Sequence, residues 1–120
     1  MDVNKSALAG ELEQWWYQQA QTEVEAVVTK AIEYGGHGAA IDLIDIGHAL
    51  GQIAGRELTE EECTEWGIFF YIEGKLARWK AAMIEGRRVS DDTLHDVSVY
   101  CRMAQRNRAV GGWPFGKDEE

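Results

Sequence analysis

The sequence predicts an all-α protein, and three observations carry that prediction. One proline, Pro114, stands among 120 residues, so no proline interrupts a helix over residues 6–110. Runs of β-branched residues are few, and apolar residues recur three and four positions apart, the spacing that places them on one face of a helix. We therefore expect a bundle of about four helices, with residues 1–112 as one domain and 113–120 as a C-terminal tail.

The first two helices are predicted from apolar stripes that end at glycines. The first helix is expected to start near Ser6 and to end at Tyr34-Gly35-Gly36. Its stripe consists of Leu12, Trp16, Ala20, Val24, Val27 and Ala31. The second helix is expected over residues 39–54 and is closed by Gly55. Its stripe consists of Leu43, Ile46, Leu50 and Ile53.

The last two helices are predicted to form a long antiparallel hairpin over about 60–85 and 91–108. Thr59 and Glu62 form the capping-box pattern that begins a helix. Ser90 is a typical N-cap for the helix that follows. The short turn between the two segments favours antiparallel packing.

Small residues inside these helices indicate tight packing. Gly67 and Gly74 lie seven residues apart in the third helix, where glycine costs about 1 kcal/mol relative to alanine. Their spacing indicates close approach of another backbone or of a ligand. Cys63 and Cys101 are two isolated cysteines in apolar helical contexts, so both are expected to be reduced, buried core residues.

The charge of the chain is unevenly distributed. The formal net charge is -9, with 12 Lys and Arg against 21 Asp and Glu. Residues 1–74 hold 14 acids and 3 bases, whereas residues 75–117 hold 4 acids and 9 bases. The total argues against nucleic acid as a partner, because phosphate backbones need a clustered cationic surface. The net charge is still compatible with a small anionic ligand that binds to the second half of the chain.

The sequence also predicts where the protein is located. No apolar run approaches the ~18 residues that span a bilayer, and no signal-peptide pattern precedes the first helix. We therefore expect a cytoplasmic protein without a membrane partner.

Charged and aromatic side chains converge on the predicted hairpin. Antiparallel packing is expected to place Arg78 level with Asp96 and Lys75 level with Tyr100. The residues that share a face are Tyr71, Lys75 and Arg78 on the third helix and Asp92, Asp96 and Tyr100 on the fourth.

Two explanations of this cluster stay open, and they can coexist. Arg78 and Asp96 can form a salt bridge that holds the hairpin together, with Asp92 as a helix-start acid. Alternatively, Asp92 and Asp96 can ligate a hard cation such as Mg²⁺, while Lys75 and Arg78 hold the phosphates of a nucleotide.

The same stretch resembles the signature of small, mostly phage-encoded MazG-like proteins. Residues 73–79 read Glu-Gly-Lys-Leu-Ala-Arg-Trp, and residues 90–100 read Ser-Asp-Asp-Thr-Leu-His-Asp-Val-Ser-Val-Tyr. They are similar to Lys-x-Ala-Arg followed by Asp-Ser/Thr-x-x-Asp-x-x-x-Tyr. The group is related to the all-α NTP pyrophosphohydrolases and the nucleotide-modification-associated domains. The resemblance covers about residues 66–113, and Tyr34-Gly35 is similar to a pair common upstream in the group.

The resemblance implies a dimer or tetramer that binds a nucleoside triphosphate with Mg²⁺. Active members of that superfamily cleave the triphosphate to the monophosphate and pyrophosphate. Their metal site takes a Glu-x-x-Glu pair from one helix and a Glu-x-x-Asp pair from the next, whose final Asp corresponds to Asp96. Thr93 stands where the preceding acid is expected, with Asp92 as its possible substitute. Lys75-x-x-Arg78 stands level with Asp96, where the glutamate pair is expected.

Three functions follow as hypotheses. The first is a Mg²⁺-dependent NTP pyrophosphohydrolase, host-cytoplasmic if phage-encoded. The second is a nucleotide-binding protein that senses or sequesters its ligand without hydrolysis, and the third is a purely structural helical interaction protein. The candidate residues are Lys75 and Arg78 for phosphate, Tyr71, Trp79 and Tyr100 for the nucleotide, and Asp92, Asp96, Asp42 and Asp45 for the metal. The alternative for Asp42 and Asp45 is a solvated helix edge.

Overall fold

The computed structural model describes residues 2–33 and 37–116, with side chains described for residues 4–31 and 42–116. The Tyr34-Gly35 pair and the last four residues of the predicted tail lie outside the described residues.

Within the described part of the chain, four α-helices and one short 3-10 helix form, which confirms the all-α prediction. Their bounds are α1 Asp2–Glu33, α2 His37–Leu50, the 3-10 helix Gly51–Ala54, α3 Glu60–Ile84 and α4 Asp91–Val110.

Two predicted boundaries differ from the observed ones. α1 begins at Asp2 rather than near Ser6. Residues 2–5 contain neither proline nor glycine, so no residue in this segment prevents the helix from starting before Ser6. The predicted second helix over 39–54 is α-helical to Leu50 and tightens into the 3-10 helix before Gly55. Gly55 ends it with a φ of 68°, the left-handed conformation that favours glycine.

The predicted N-terminal cap of α3 is confirmed. The Glu62 backbone N–H donates to Thr59 Oγ1 at 3.1 Å, and the Thr59 N–H donates to Glu62 Oε1 at 3.1 Å. Arg56 pairs with the same carboxylate. This hydrogen bond from Arg56, helped by the Thr59 N–H, lowers the pKa of Glu62 to about 2. Ser90 caps α4 in the same way, accepting from the Thr93 N–H.

α2 and α3 pack with their backbones in close contact. A Cβ added to Gly67 would lie 2.3 Å from the Leu43 carbonyl oxygen. A Cβ added to Gly47 would lie even closer to the Cys63 carbonyl oxygen. Gly74 has nothing within 4 Å of its Cβ position. The predicted close approach of another backbone therefore exists at Gly67, whereas no neighbouring helix among the described residues approaches Gly74 in this way.

The α3–α4 hairpin is shifted by about one helical turn from the predicted register. Arg78 was expected opposite Asp96, but Lys75 occupies that position, at 2.9 Å. The reason is the way α3 ends. Gly86 adopts a φ of 72°, and the Arg87 N–H donates back to the Ala82 carbonyl, which is the Schellman arrangement. This arrangement ends α3 and reverses the chain before α4 begins at Asp91.

The core lies where α2, α3 and α4 meet, around Leu43, Ile68 and Met103. Cys63 is buried as predicted, whereas the same prediction for Cys101 is wrong because that side chain is exposed. Part of the predicted tail also packs on this body: the Arg106 guanidinium donates to the Pro114 carbonyl at 3.1 Å.

α1 is much less covered than the other helices. It packs mainly against α4, and every residue from 4 to 18 is exposed. Its apolar residues at every fourth position form what we call the α1 ridge: Leu8, Leu12, Trp16, Ala20, Val24 and Val28. All six are exposed, and Trp16 exposes 66% of its surface.

Candidate functional site

The predicted ligand residues of α3 and α4 meet on one surface, which we call the hairpin face: Tyr71, Lys75, Asp96 and Tyr100. The rings of Tyr71 and Tyr100 stack with centroids 5.5 Å apart and an interplanar angle of 4°. Burial raises the pKa of the Tyr100 hydroxyl, and the neighbouring Tyr71 and Asp96 raise it further. Two residues that are 29 positions apart in sequence are thus brought into direct contact, and both rings are half-buried.

Lys75 and Asp96 form the ion pair of the hairpin face. Lys75 Nζ lies 2.9 Å from Asp96 Oδ2, with side-chain exposures of 21% and 46%. The expected Arg78–Asp96 salt bridge is wrong, and Lys75 takes the place of Arg78 because of the one-turn shift. Because Asp96 is 46% exposed, this partly exposed ion pair contributes about 1 kcal/mol or less to stability.

The next turn of the hairpin carries charges without partners in the described residues. Arg78 and Asp92 are both exposed. Neither makes a hydrogen bond or ion pair with the part of the chain that the structure describes. Trp79 is half-buried beside Arg78. This turn thus offers the guanidinium of Arg78, which has no partner among the described residues, and a guanidinium is the group that binds phosphate most specifically.

The four candidate metal ligands do not come together. Asp42 precedes Leu43, which faces Gly67 on α3, whereas Asp96 faces Lys75. Eight residues of α3 separate these levels, about 12 Å along the helix axis. Asp92 lies one turn closer than Asp96 to the connection between α3 and α4. Asp45 lies closer than Asp42 to the N-terminal end of α3. The separation between Asp45 and Asp92 along the helix axis is therefore larger still.

These residues do not fit a pyrophosphohydrolase metal centre. In residues 4–31 and 42–116, no three His, Cys, Asp or Glu side chains form a group that could hold a metal ion. Such a centre needs several converging carboxylates. Here Asp96 is engaged by an ammonium group, and Asp42 and Asp45 lie at an exposed edge of α2. Mg²⁺ binding by Asp92 and Asp96 stays a prediction.

A cluster that sequence reasoning missed joins α1 to α4. His95 Nδ1 lies 2.8 Å from Glu23 Oε1, and Ser98 Oγ donates to Glu23 Oε2 at 3.2 Å. The hydrogen bond with Glu23 raises the pKa of His95, and the charges of Asp91 and Asp92 add to the effect. The sequence signal for this cluster is Glu23, a carboxylate beside the apolar stripe of α1. Its partner His95 is 72 residues away, so the sequence alone does not identify the pair.

An apolar groove of about 440 Å³ lies next to this cluster, between α1 and α4. α1 contributes Ala20, Glu23, Val24, Val27, Val28 and Ala31, α4 contributes Val99, Arg102, Met103 and Arg106, and the tail contributes Trp113, Pro114 and Phe115. The Arg106 guanidinium stands over the Phe115 ring at 6.0 Å. The groove is therefore largely aliphatic and aromatic, with two arginines among its lining residues.

Among the described helices, none combines the length and the apolarity needed to cross a bilayer. Comparison of the chain with protein-family models, with curated proteins and with solved structures finds no match. The likeness to MazG-like proteins therefore rests on the motif in residues 73–79 and 90–100, and membership of that group stays a prediction.

Proposed function

We propose that the chain binds a small phosphorylated ligand of the nucleotide class on the hairpin face, without a complete hydrolytic centre of its own. The observation that carries this proposal is the convergence on one surface of Tyr71 with three motif residues, Lys75, Asp96 and Tyr100. A stacked aromatic pair lies beside a half-buried lysine, and a free arginine follows one turn later. This combination supplies a flat apolar surface and two cations, the groups that recognise a base and its phosphates.

The separation of the carboxylates favours binding over hydrolysis. Hydrolysis of a triphosphate requires charge stabilisation at the reacting phosphoryl group by several fixed groups. Two aspartates, one of them already paired with Lys75, supply less than that. The protein then acts by holding the nucleotide, as a sensor or as a sequestering agent.

Calorimetric titration with a panel of NTPs and dNTPs, with and without Mg²⁺, tests the proposal. We expect Arg78→Ala to weaken binding about tenfold or more, because a hydrogen bond to a charged group contributes about 1.5–3 kcal/mol. Lys80→Ala, which removes the same charge two residues along α3, is the matched control and should leave affinity unchanged.

Two results would contradict the proposal. If no nucleotide binds, and Lys75→Ala lowers only the melting temperature, the hairpin face has the purely structural role instead. If chromatography detects a monophosphate formed only with Mg²⁺, the chain is a pyrophosphohydrolase and the absence of a hydrolytic centre is wrong.

A further inference from the structure

The groove between α1 and α4 has the size and the lining of a small-molecule site. Its volume of about 440 Å³ falls within the range of about 300–1,000 Å³ that ligand pockets occupy. α4 contributes Val99 and Met103, and the tail contributes the Phe115 ring. Val24 and Val28 of α1 line the same groove and are about half exposed. Apolar surface is therefore available to a ligand on α1, on α4 and on the tail.

Contacts with α4 hold the tail in place beside this groove. The Arg106 guanidinium donates to the Pro114 carbonyl at 3.1 Å and lies 6.0 Å from the centre of the Phe115 ring. A Cβ added to Gly116 would meet the Val110 carbonyl oxygen, so the tail backbone lies directly against the end of α4. The aromatic side of the groove is thus fixed by contacts within the chain.

The charged residues of the groove differ in how they are paired. Glu23 is the acid among the lining residues, and both of its oxygens are engaged. Its Oε1 lies 2.8 Å from His95 Nδ1, and its Oε2 accepts a hydrogen bond from Ser98 Oγ at 3.2 Å. The Arg102 guanidinium donates to the Gln105 amide oxygen at 2.7 Å. It has no carboxylate partner among the described residues, so the groove keeps a cation with which a ligand carboxylate can pair.

Glu23 and the arginines lie at different levels of α4. Glu23 contacts His95 and Ser98, whereas Arg102 and Arg106 follow Ser98 by four and eight residues. These steps correspond to about 6 Å and 12 Å along the helix axis. A ligand carboxylate beside the arginines is therefore one to two helical turns away from the contacts of Glu23.

We propose that this groove binds an aliphatic monocarboxylate, with the carboxylate at Arg102 and Arg106 and the hydrocarbon chain along α1. The lining residues of α1 run from Ala20 to Ala31, about 16 Å along the helix axis. An extended chain advances about 1.2 Å per covalent bond, so a hydrocarbon of about ten to twelve carbons matches this length. Removal of that hydrocarbon from water supplies the affinity, and the arginines select the anionic head group.

This inference goes beyond the phosphorylated ligand proposed above and does not depend on it. The groove and the hairpin face share no residue. Arg78→Ala should therefore leave the affinity for the carboxylate unchanged. Loss of carboxylate binding in this variant would place the ligand beside the hairpin face and overturn the proposal.

Calorimetric titration of the full chain with decanoate, and in parallel with decanol, tests the head-group preference. We expect saturable binding of one decanoate per chain and weaker binding of decanol. Arg102→Gln should weaken decanoate binding about fivefold, the upper range for an ion pair at an exposed site, and leave decanol binding unchanged. Arg88→Gln is the matched control and should change neither affinity, because Arg88 is exposed before α4 and does not line the groove.

Equal affinities for decanoate and decanol, or no saturable binding of decanoate, would overturn the proposal. So would binding of the chain to anionic vesicles without binding of decanoate, because the groove would then receive a lipid surface.

Nuclear Overhauser contacts locate the bound hydrocarbon. With methyl-labelled protein, we expect contacts from decanoate protons to the methyl groups of Val28 and Met103. Contacts to Leu12 instead would place the ligand on the exposed segment 4–18 and overturn the groove as its site. Val28→Glu adds a carboxylate at a half-exposed position, so it should weaken decanoate binding while circular dichroism shows unchanged helix content. An unchanged affinity in this variant would also contradict the proposal.

Discussion

α2 and α3 touch backbone to backbone, while α1 presents an apolar ridge to solvent. In the body formed by α2, α3 and α4, Ile68 is 1% exposed and Gly67 admits the neighbouring helix directly. In α1, side chains of equal or larger size are more than half exposed. The difference teaches that the chain contains two kinds of helix. Contacts between α2, α3 and α4 bury the residues of the body, whereas the N-terminal half of α1 is exposed along its length.

The largest effect is expected from removing core volume in the body. Ile68→Ala should lower the free energy of unfolding by about 2–5 kcal/mol, because it removes buried methyl groups and leaves a cavity. Leu12→Ala removes as much apolar volume from α1 but should lower the unfolding free energy of the body by far less. Urea denaturation followed by circular dichroism measures both. Equal losses of unfolding free energy in the two variants would contradict the difference in packing between α1 and the body.

A second comparison uses two glycines of α3. Gly67→Ala should destabilise the protein by about 1–3 kcal/mol, because its Cβ meets the Leu43 carbonyl oxygen and the helices must separate. Gly74→Ala should stabilise it by about 1 kcal/mol, since alanine favours the helix and nothing lies within 4 Å. Opposite shifts of the urea midpoint confirm the close approach, and shifts of the same sign contradict it.

The smallest effect concerns the polar contact that joins α1 to the body. The pKa of His95 is raised above 6.5, chiefly by Glu23 and further by Asp91 and Asp92. Protonated His95 therefore stabilises the folded chain below about pH 6.5. This contribution should disappear as the pH rises through the folded pKa. Hydrogen exchange of α1 should accelerate as the pH rises above 6.5, after correction for the intrinsic rate. His95→Gln should remove this pH dependence, and a pH dependence that survives the substitution would assign it to another group.

Local signals predicted most of the fold. Thr59, Glu62 and Ser90 determine where α3 and α4 begin through hydrogen bonds to residues three positions away, so the pattern is visible in sequence. The apolar stripes predicted the helices, and the Asp-x-x-x-Tyr spacing placed Asp96 and Tyr100 on one face.

The errors arose where one helix meets another. The register of the hairpin depended on how Gly86 redirects the chain, which the sequence does not show, and a shift of one turn exchanged Arg78 for Lys75 opposite Asp96. Glu23 and His95 are partners only because α1 crosses α4. Cys101 lies on the outer side of α4, and only the placement of neighbouring helices determines which side is the outer one.

Asn107 gives the observed pairing of α3 with α4 an energetic preference over its alternatives. Its side chain is fully buried, and its Nδ2 donates to the Glu61 carbonyl at 3.0 Å. If α4 slid by one turn, this amide would lose the Glu61 carbonyl as its acceptor. An unpaired buried donor costs about 1–3 kcal/mol, enough to make the alternative a minor population. Asn107 thus acts together with the turn at Gly86 in favouring the register that sets Lys75 opposite Asp96.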